Sequence, residues 1–302
     1  MFLAITSLSL NAVSAVLKLL ISRYLNLSKI RCVLLGKTGN YKKGNTMTLL
    51  KHAFTFAVCA LTTVSAVAHD DMQYKEKVVK AFSVNENTQL QIENTNGKVE
   101  IEAWDKDEVV IVATIFADNK EGRERIELDF SQSGDTIDID THFKKQWGWN
   151  NYNHAKVDYF INVPKYIELD KVDLNNGSLS IKGVTGEVNA TLNNGKMVAI
   201  GLAGNTYVDS NNGSVQLSYI DVLTDLTSID VESQNGSITL NLPESIDAKI
   251  RAKSNNGSIS NSFGLDVDKS RSNRKTLSGE IGSGKTSVSL SSNNGSIRIK
   301  SL

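Results

Sequence analysis

After Ala68 the chain has no cysteine; its two, Cys32 and Cys59, both lie earlier. A disulfide framework is therefore excluded for residues 69–302, which must be held by packing and backbone ladders. Proline is nearly absent, with Pro164 and Pro243 the only two, which argues against long unstructured linkers. Acid is missing from the first 68 residues: they carry Lys18, Arg23, Lys29, Arg31, Lys37, Lys42, Lys43 and Lys51 but no Asp or Glu. The remainder then holds 25 basic and 33 acidic residues, so the neutral sum for the whole chain hides an acidic body. Such a body has no electrostatic case for binding DNA or RNA. Phe2 to Leu20 could form an apolar helix, but a membrane anchor followed directly by an export signal would be redundant. Ala53 to Val64 is too short for the ~20 apolar residues that a membrane-spanning helix needs.

What is present begins with an export signal. Lys51 and His52 supply a basic start, Ala53 to Val64 an apolar core, and Ala66-Val67-Ala68 a small-x-small cleavage pattern. Residues 47–68 therefore read as a secretory signal peptide, and cleavage leaves His69 as the mature N-terminus. The expected location is periplasmic, outer-membrane-associated or secreted. Residues 1–46 read as an over-extended N-terminus, with translation expected to start at Met47. Cys59 follows Val58 rather than a small residue, which argues against lipidation there.

The body is organised by seven Asn-Gly pairs: Asn96-Gly97, Asn176-Gly177, Asn194-Gly195, Asn212-Gly213, Asn235-Gly236, Asn256-Gly257 and Asn294-Gly295. From Gly177 to Gly213 the step is 18 residues, twice over, with Gly186 and Gly204 midway. Later steps are 23, 21 and 38, the last close to two coils of 19. A fixed period near 20 residues is the mark of a stacked array. Two residues after the glycines stand Val99, Leu179, Met197, Val215, Ile238, Ile259 and Ile297. Five residues before stand Ile92, Val172, Ala190, Val208, Val231, Ala252 and Leu290. All are apolar, and the flanks alternate with period two, as strands with one buried face do.

Two all-β folds fit this pattern. Each Asn-Gly can close a type I′ hairpin, giving an antiparallel meander or a β-sandwich. Alternatively each is a structural turn at the corner of a parallel β-solenoid with coils of 18–23 residues. The half-period glycines favour the solenoid, since they give each coil a second corner. Stacked corners would also line Asn176, Asn194, Asn212 and their successors into an amide ladder. Residues 69–156 are less regular and read as a β entry or cap segment, followed by the repeats of 157–302. Val109 to Phe116 predicts a buried strand. Ile126-Leu128-Phe130 and Ile137-Ile139 predict a hairpin around Ser131 to Asp135.

Ile92 to Ile101 with Ala103-Trp104-Asp105-Lys106-Asp107-Glu108-Val109 resembles the opening of the bacterial putative-adhesin β-strand-repeat family, a domain of unknown function. Val157 to Lys165 and the closing Gly282-Ser283-Gly284 with Ser292 to Ile299 are similar to the same family. The resemblance spans nearly all of residues 69–302 and rests on turns and apolar alternation. It implies an envelope-associated β-solenoid and supplies no catalytic residues.

Candidate chemistry is sparse. Gly279 to Thr286 satisfies G-x-x-x-x-G-K-T, but Ser287-Val288-Ser289-Leu290 alternates as a strand where a phosphate-binding loop needs a helix. The segment reads as a glycine-rich turn with an exposed lysine, and no nucleotide is expected. The aromatic cluster Phe143 to Phe160 centres on Trp147, Trp149, Tyr152 and His154. It is either a binding loop for a glycan or partner, or a lid folded over the stack. Asp135, Asp138 and Asp140 read as outward charges on one side of a strand, matching no Ca²⁺ loop. No cofactor, metal or catalytic residue is expected. The functional expectation is a non-enzymatic envelope or surface protein that binds an envelope protein or a polysaccharide. The alternatives are a polysaccharide-active β-helix enzyme and a scaffold in an envelope-stress system.

Overall fold

The computed structural model describes residues 74–144, 155–221, 225–269 and 274–302. The signal sequence, the upstream segment and the loop residues Trp147, Trp149, Tyr152 and His154 lie outside the described residues. Within them the chain is all-β. The strands are β1 (Tyr74–Ser83), β2 (Gln89–Trp104), β3 (Glu108–Ala117), β4 (Ile126–Ser133), β5 (Thr136–Phe143) and β6 (Ala155–Pro164). Then come β7 (Glu168–Lys182), β8 (Val188–Leu202), β9 (Thr206–Asn212), β10 (Val215–Tyr219), β11 (Ser228–Asn235) and β12 (Ile238–Leu242). The last six are β13 (Ala248–Asn256), β14 (Ile259–Asn261), β15 (Val267–Asp268), β16 (Lys275–Ile281), β17 (Thr286–Asn294) and β18 (Ile297–Ser301). The one helix among the described residues, α1 (Lys120–Glu124), is capped by Asn119, whose side chain accepts from the Gly122 amide. All eighteen strands belong to one open sheet.

The Asn-Gly pairs are not hairpin turns. Strands β2, β7 and β8 run straight through theirs. The arm before each pair bonds to the equivalent arm of a neighbouring level, and so does the arm after it. These pairings are parallel and in register: Asn96 faces Asn176, Asn176 faces Asn194, and Asn194 faces Asn212. The antiparallel meander is therefore corrected for the repeats. A sequence reading could not exclude it, because Asn and Gly serve positive-φ hairpins and sharp corners equally well.

The order of levels departs from the order of sequence. Asn235 faces Asn294, and Asn294 in turn faces Asn256. The C-terminal strands β17 and β18 thus slot between the level of β11 and β12 and that of β13 and β14. The 38-residue step is therefore not two successive coils: the chain skips a place, turns back through β15 and β16, and fills the gap last. Strand β16 lies antiparallel on the outer side of β13, which closes the first arm at this end.

The opposite end is closed in a similar way. The first arm of β2 is flanked by β5, which pairs antiparallel with β4 in the expected hairpin. The second arm of β2 is flanked by β6, which carries antiparallel β3 and then β1 at the edge. Strand β3 is buried on one face only, with Val110, Val112 and Phe116 half-buried on the other. Asp135 sits in the β4–β5 turn, accepting from Asn85 Nδ2 at 2.8 Å. Only Asp138 and Asp140 therefore share the outward face.

All fourteen repeat positions flanking the Asn-Gly pairs are buried, from Ile92 and Val99 at one end to Ala252 and Ile259 at the other. The glycines are fixed by contact between levels. A Cβ on Gly177 would stand 1.7 Å from the Gly97 carbonyl oxygen, on Gly195 1.6 Å from that of Gly177, and on Gly213 1.4 Å from that of Gly195. Gly186 and Gly204 form a second such column, at 2.2 Å from the Ile167 oxygen and 2.4 Å from the Gly186 oxygen.

Gly195→Ala should therefore force two levels apart and abolish cooperative folding. Gly134→Asn, at a turn with φ +60° and open space around it, should be nearly neutral. Val215→Asp or Ile238→Asp should cost several kcal/mol by burying an unpaired carboxylate, against little for outward Gln216→Asp. Thermal melts of the set decide; equal melts for inward and outward changes would overturn the assignment of faces.

Candidate functional site

The corner is built first from amides. Asn176 Nδ2 donates to Asn96 Oδ1 at 3.1 Å, Asn194 to Asn176 at 3.1 Å, and Asn212 to Asn194 at 3.1 Å. Asn235 then donates to Asn212 at 3.0 Å, Asn294 to Asn235 at 2.8 Å, and Asn256 to Asn294 at 2.9 Å. The seven asparagines thus form one unbroken ladder in spatial order. A second, partial ladder runs beside it through Asn175, Asn193 and Asn211, and again through Asn293 and Asn255. Gln234 occupies the same position in the level that interrupts it, and Thr95 in the level where it ends. Inside the corner, Ser254 and Ser292 donate to the Gly295 and Gly236 carbonyls at 2.8 and 3.1 Å.

Aligning the levels exposes a charge pattern that reading along the chain missed. Four residues before each glycine, the outward column reads Glu93, Asp173, Thr191, Asp209, Glu232, Ser291 and Lys253 in spatial order. Asp140 and Asp129 extend it beyond β2. Lys171 pairs with both Glu93 and Asp173, and His142 lies 3.0 Å from Asp140. Acid therefore lines the first arm over most of its length and gives way to Lys249, Arg251 and Lys253 at β13. The second arm carries Lys98, Lys182, Lys196, Arg298 and Lys300 on its outward side, with Glu100 and Glu102 on β2. The signal was present in the sequence: fixing the Asn-Gly frame and reading one outward column finds it.

The glycine-rich turn at Gly282 to Lys285 has its donors already engaged. Ser283 Oγ donates to Asp247 Oδ2 at 2.6 Å and the Lys285 amide donates to Asp247 Oδ1 at 3.0 Å. The Ser283 hydroxyl, followed by the Lys285 amide, holds the Asp247 carboxyl below the usual aspartate range. The turn leads directly into strand β17, not into a helix.

Two buried tyrosines sit among apolar side chains. Tyr159 shares a 2.7 Å hydrogen bond with Thr141 Oγ1, and Tyr219 donates to Thr206 Oγ1 at 2.8 Å. Burial, opposed by the Thr141 bond and reinforced by the Asp140 charge, pushes Tyr159 up to about 12. Burial also raises Tyr219. At the cap, Arg123 grips both oxygens of Glu76, at 2.6 and 3.0 Å, and holds its carboxyl below the usual range. Among the described residues no three His, Cys, Asp or Glu side chains gather as metal ligands.

Residues 166–300 match the family described as Toastrack DUF4097, a span that takes in six of the seven Asn-Gly pairs. The chain is also similar to three solved structures. A putative cell adhesion protein of Clostridium sporogenes is 19% identical, covers 76% of this chain and 100% of its own, and superposes with a TM-score of 0.49. A putative adhesin of Bacteroides fragilis is 18% identical, with 75% and 97% covered and a TM-score of 0.32. A putative lipid binding protein of Parabacteroides distasonis is 15% identical, with 74% and 96% covered and a TM-score of 0.28. No curated protein matches the chain.

Two titrations check the site. A raised tyrosine pKa gives stability that is complete below pH about 10 and is lost as pH climbs toward 12. Alkaline melts should therefore drop across that window, and Tyr159→Phe should shrink the drop while leaving the Thr141 hydroxyl without its partner. A lowered carboxyl works in the opposite direction: its contribution is present above the ordinary aspartate range and fades as pH falls through the depressed value. NMR titration should find Asp247 below an ordinary aspartate, and Ser283→Ala should move it back up; no movement would remove the hydroxyl as the cause.

Proposed function

Taking residues 166–300 as a Toastrack DUF4097 domain, we propose that the mature protein is an exported, non-enzymatic β-solenoid that binds an envelope partner or polymer along its walls. Each level of 18–23 residues is one coil, cornered at Asn-Gly and again near the half-period glycines. The observation that carries this reading is the repeated outward column. Levels stacked ~4.8 Å apart present one side chain each at the same place, which suits an extended ligand better than a small one.

The chemistry of the walls supports binding over catalysis. Acids of the first arm are spread level by level along a column, and Lys171 and His142 already engage three of them. A hydrolase or lyase needs an acid and a base aimed at one bond. In this proposal residues 47–68 are a signal peptide that exports the protein to the envelope or beyond. Trp147, Trp149, Tyr152 and His154 form a second binding element in this proposal.

Retention of the mature protein on cell-wall polysaccharide and on envelope extracts tests it. The combined change Glu93→Gln, Asp173→Asn, Asp209→Asn and Glu232→Gln should lower retention while leaving the melt within a few degrees, since exposed pairs contribute only about 0–1 kcal/mol each. Trp147→Ala with Trp149→Ala should lower it separately. Full retention by both sets would sink the proposal, as would new reducing ends released from the polysaccharide or intact protein confined to the cytoplasm.

A further inference from the structure

We propose that Asn256 is a modification site, the ladder asparagine that converts to a carboxylate in the folded protein with water as co-reactant. In any Asn-Gly sequence the glycine nitrogen can attack the preceding side-chain amide, unhindered by a Cβ. The Gly257 nitrogen loses its proton and bonds to Asn256 Cγ. The Cγ–Nδ2 bond breaks, and Nδ2 leaves as ammonia with that proton. Water then opens the five-membered imide at either carbonyl, giving aspartate or its β-linked isomer. Nothing is oxidised or reduced.

The stack blocks this step at the other levels. Each glycine N–H is held by the asparagine carbonyl of the next level: Gly213 by Asn235 at 3.0 Å, Gly236 by Asn294 at 3.1 Å, and Gly295 by Asn256 at 3.1 Å. Gly97, Gly177 and Gly195 lie inside strands that are paired on into the following level. Gly257 belongs to the last level. Its N–H meets no acceptor among the described residues, and it is the one glycine of the seven that is exposed, the other six being half-buried.

The Asn256 side chain stands at one end of the ladder and is held there from one side only. Every other ladder Oδ1 accepts an amide from the next level, whereas Asn256 only donates, to Asn294 at 2.9 Å. Conversion removes that donor and sets a carboxylate against the Asn294 carbonyl oxygen. The three-residue strand β14, which follows directly, is the element placed to fray.

Peptide mass mapping of the folded mature protein, held in mildly alkaline buffer at body temperature, tests the assignment. The one-dalton gain should appear in the Asn256 peptide about tenfold or more faster than in those of Asn194 and Asn212, which react only through local opening. Unfolded in urea, all seven pairs should react at similar rates, and Asn256→Gln should remove the folded-state signal without raising another. Asn256 reacting no faster than Asn194 in the folded protein would overturn the proposal. So would complete resistance of the folded chain when the unfolded chain reacts.

Discussion

Everything in this structure depends on how closely two levels approach at the Asn-Gly corner. The carbonyl oxygen of one corner glycine occupies the place where a side chain on the next would begin, less than 2 Å from a hypothetical Cβ at Gly177, Gly195, Gly213, Gly236 and Gly295. No other residue fits. That contact brings the flanking arms within hydrogen-bonding reach, and the arms then carry the ladder amides and the buried apolar columns. Asparagine serves there because its amide both donates and accepts along the stacking direction, so one residue type can repeat without leaving a polar group unpaired.

Much of the fold was legible because the repeat is a physical identity and not only a textual one. Val99, Leu179 and Met197 share a sequence offset from their glycines and end up stacked in one column, all buried. The amide ladder followed from the same offset. The order of levels could not follow from it. Any level offers the same apolar columns and the same corner to a neighbour, so Asn294 fits between Asn235 and Asn256 as well as it would beyond Asn256. What selects the inserted position is the β15–β16 return, and no periodic signal encodes that. The candidate binding loop was legible only as an aromatic cluster; the charged columns needed the register of the levels, because reading along one strand interleaves them with the opposite face.

The ends show how a repeat that could grow indefinitely is stopped. An exposed strand edge invites pairing with another chain. Here both ends change direction: β3 and β1 lie antiparallel beyond β6, β4 beyond β5, and β16 beyond β13. The edge strand β1 carries Lys75, Lys77 and Lys80, and the edge strand β4 carries Glu127 and Asp129. Charged edges of this kind disfavour a further neutral strand. The Arg123–Glu76 pair clamps β1 to the last turn of α1, so this edge is held by a bidentate contact as well as by its pairing with β3.

The two faces of each arm divide the labour between stability and surface chemistry. Inward positions are locked by packing and are mostly apolar, with Ser254 and Ser292 at the corner and Thr141, Thr206 and Thr286 on the arms as hydrogen-bonded polar members. Ser210, Ser233 and Asn94 share that corner position, where Asn94 Nδ2 reaches the Val157 carbonyl at 2.9 Å. Outward positions have no such constraint, and they vary freely from Glu93 to Ser291 to Lys253 within one column. A surface assembled in this way can change its charge level by level while the stack beneath stays the same. It gains length and repetition. Its concavities are shallow and open, such as the one of about 330 Å³ between Glu93, Asp140, His142 and Asp173, because neighbouring outward side chains on a parallel sheet point the same way. An extended ligand of the kind proposed would meet several levels at once, with each contact weak and the sum set by how many levels it spans.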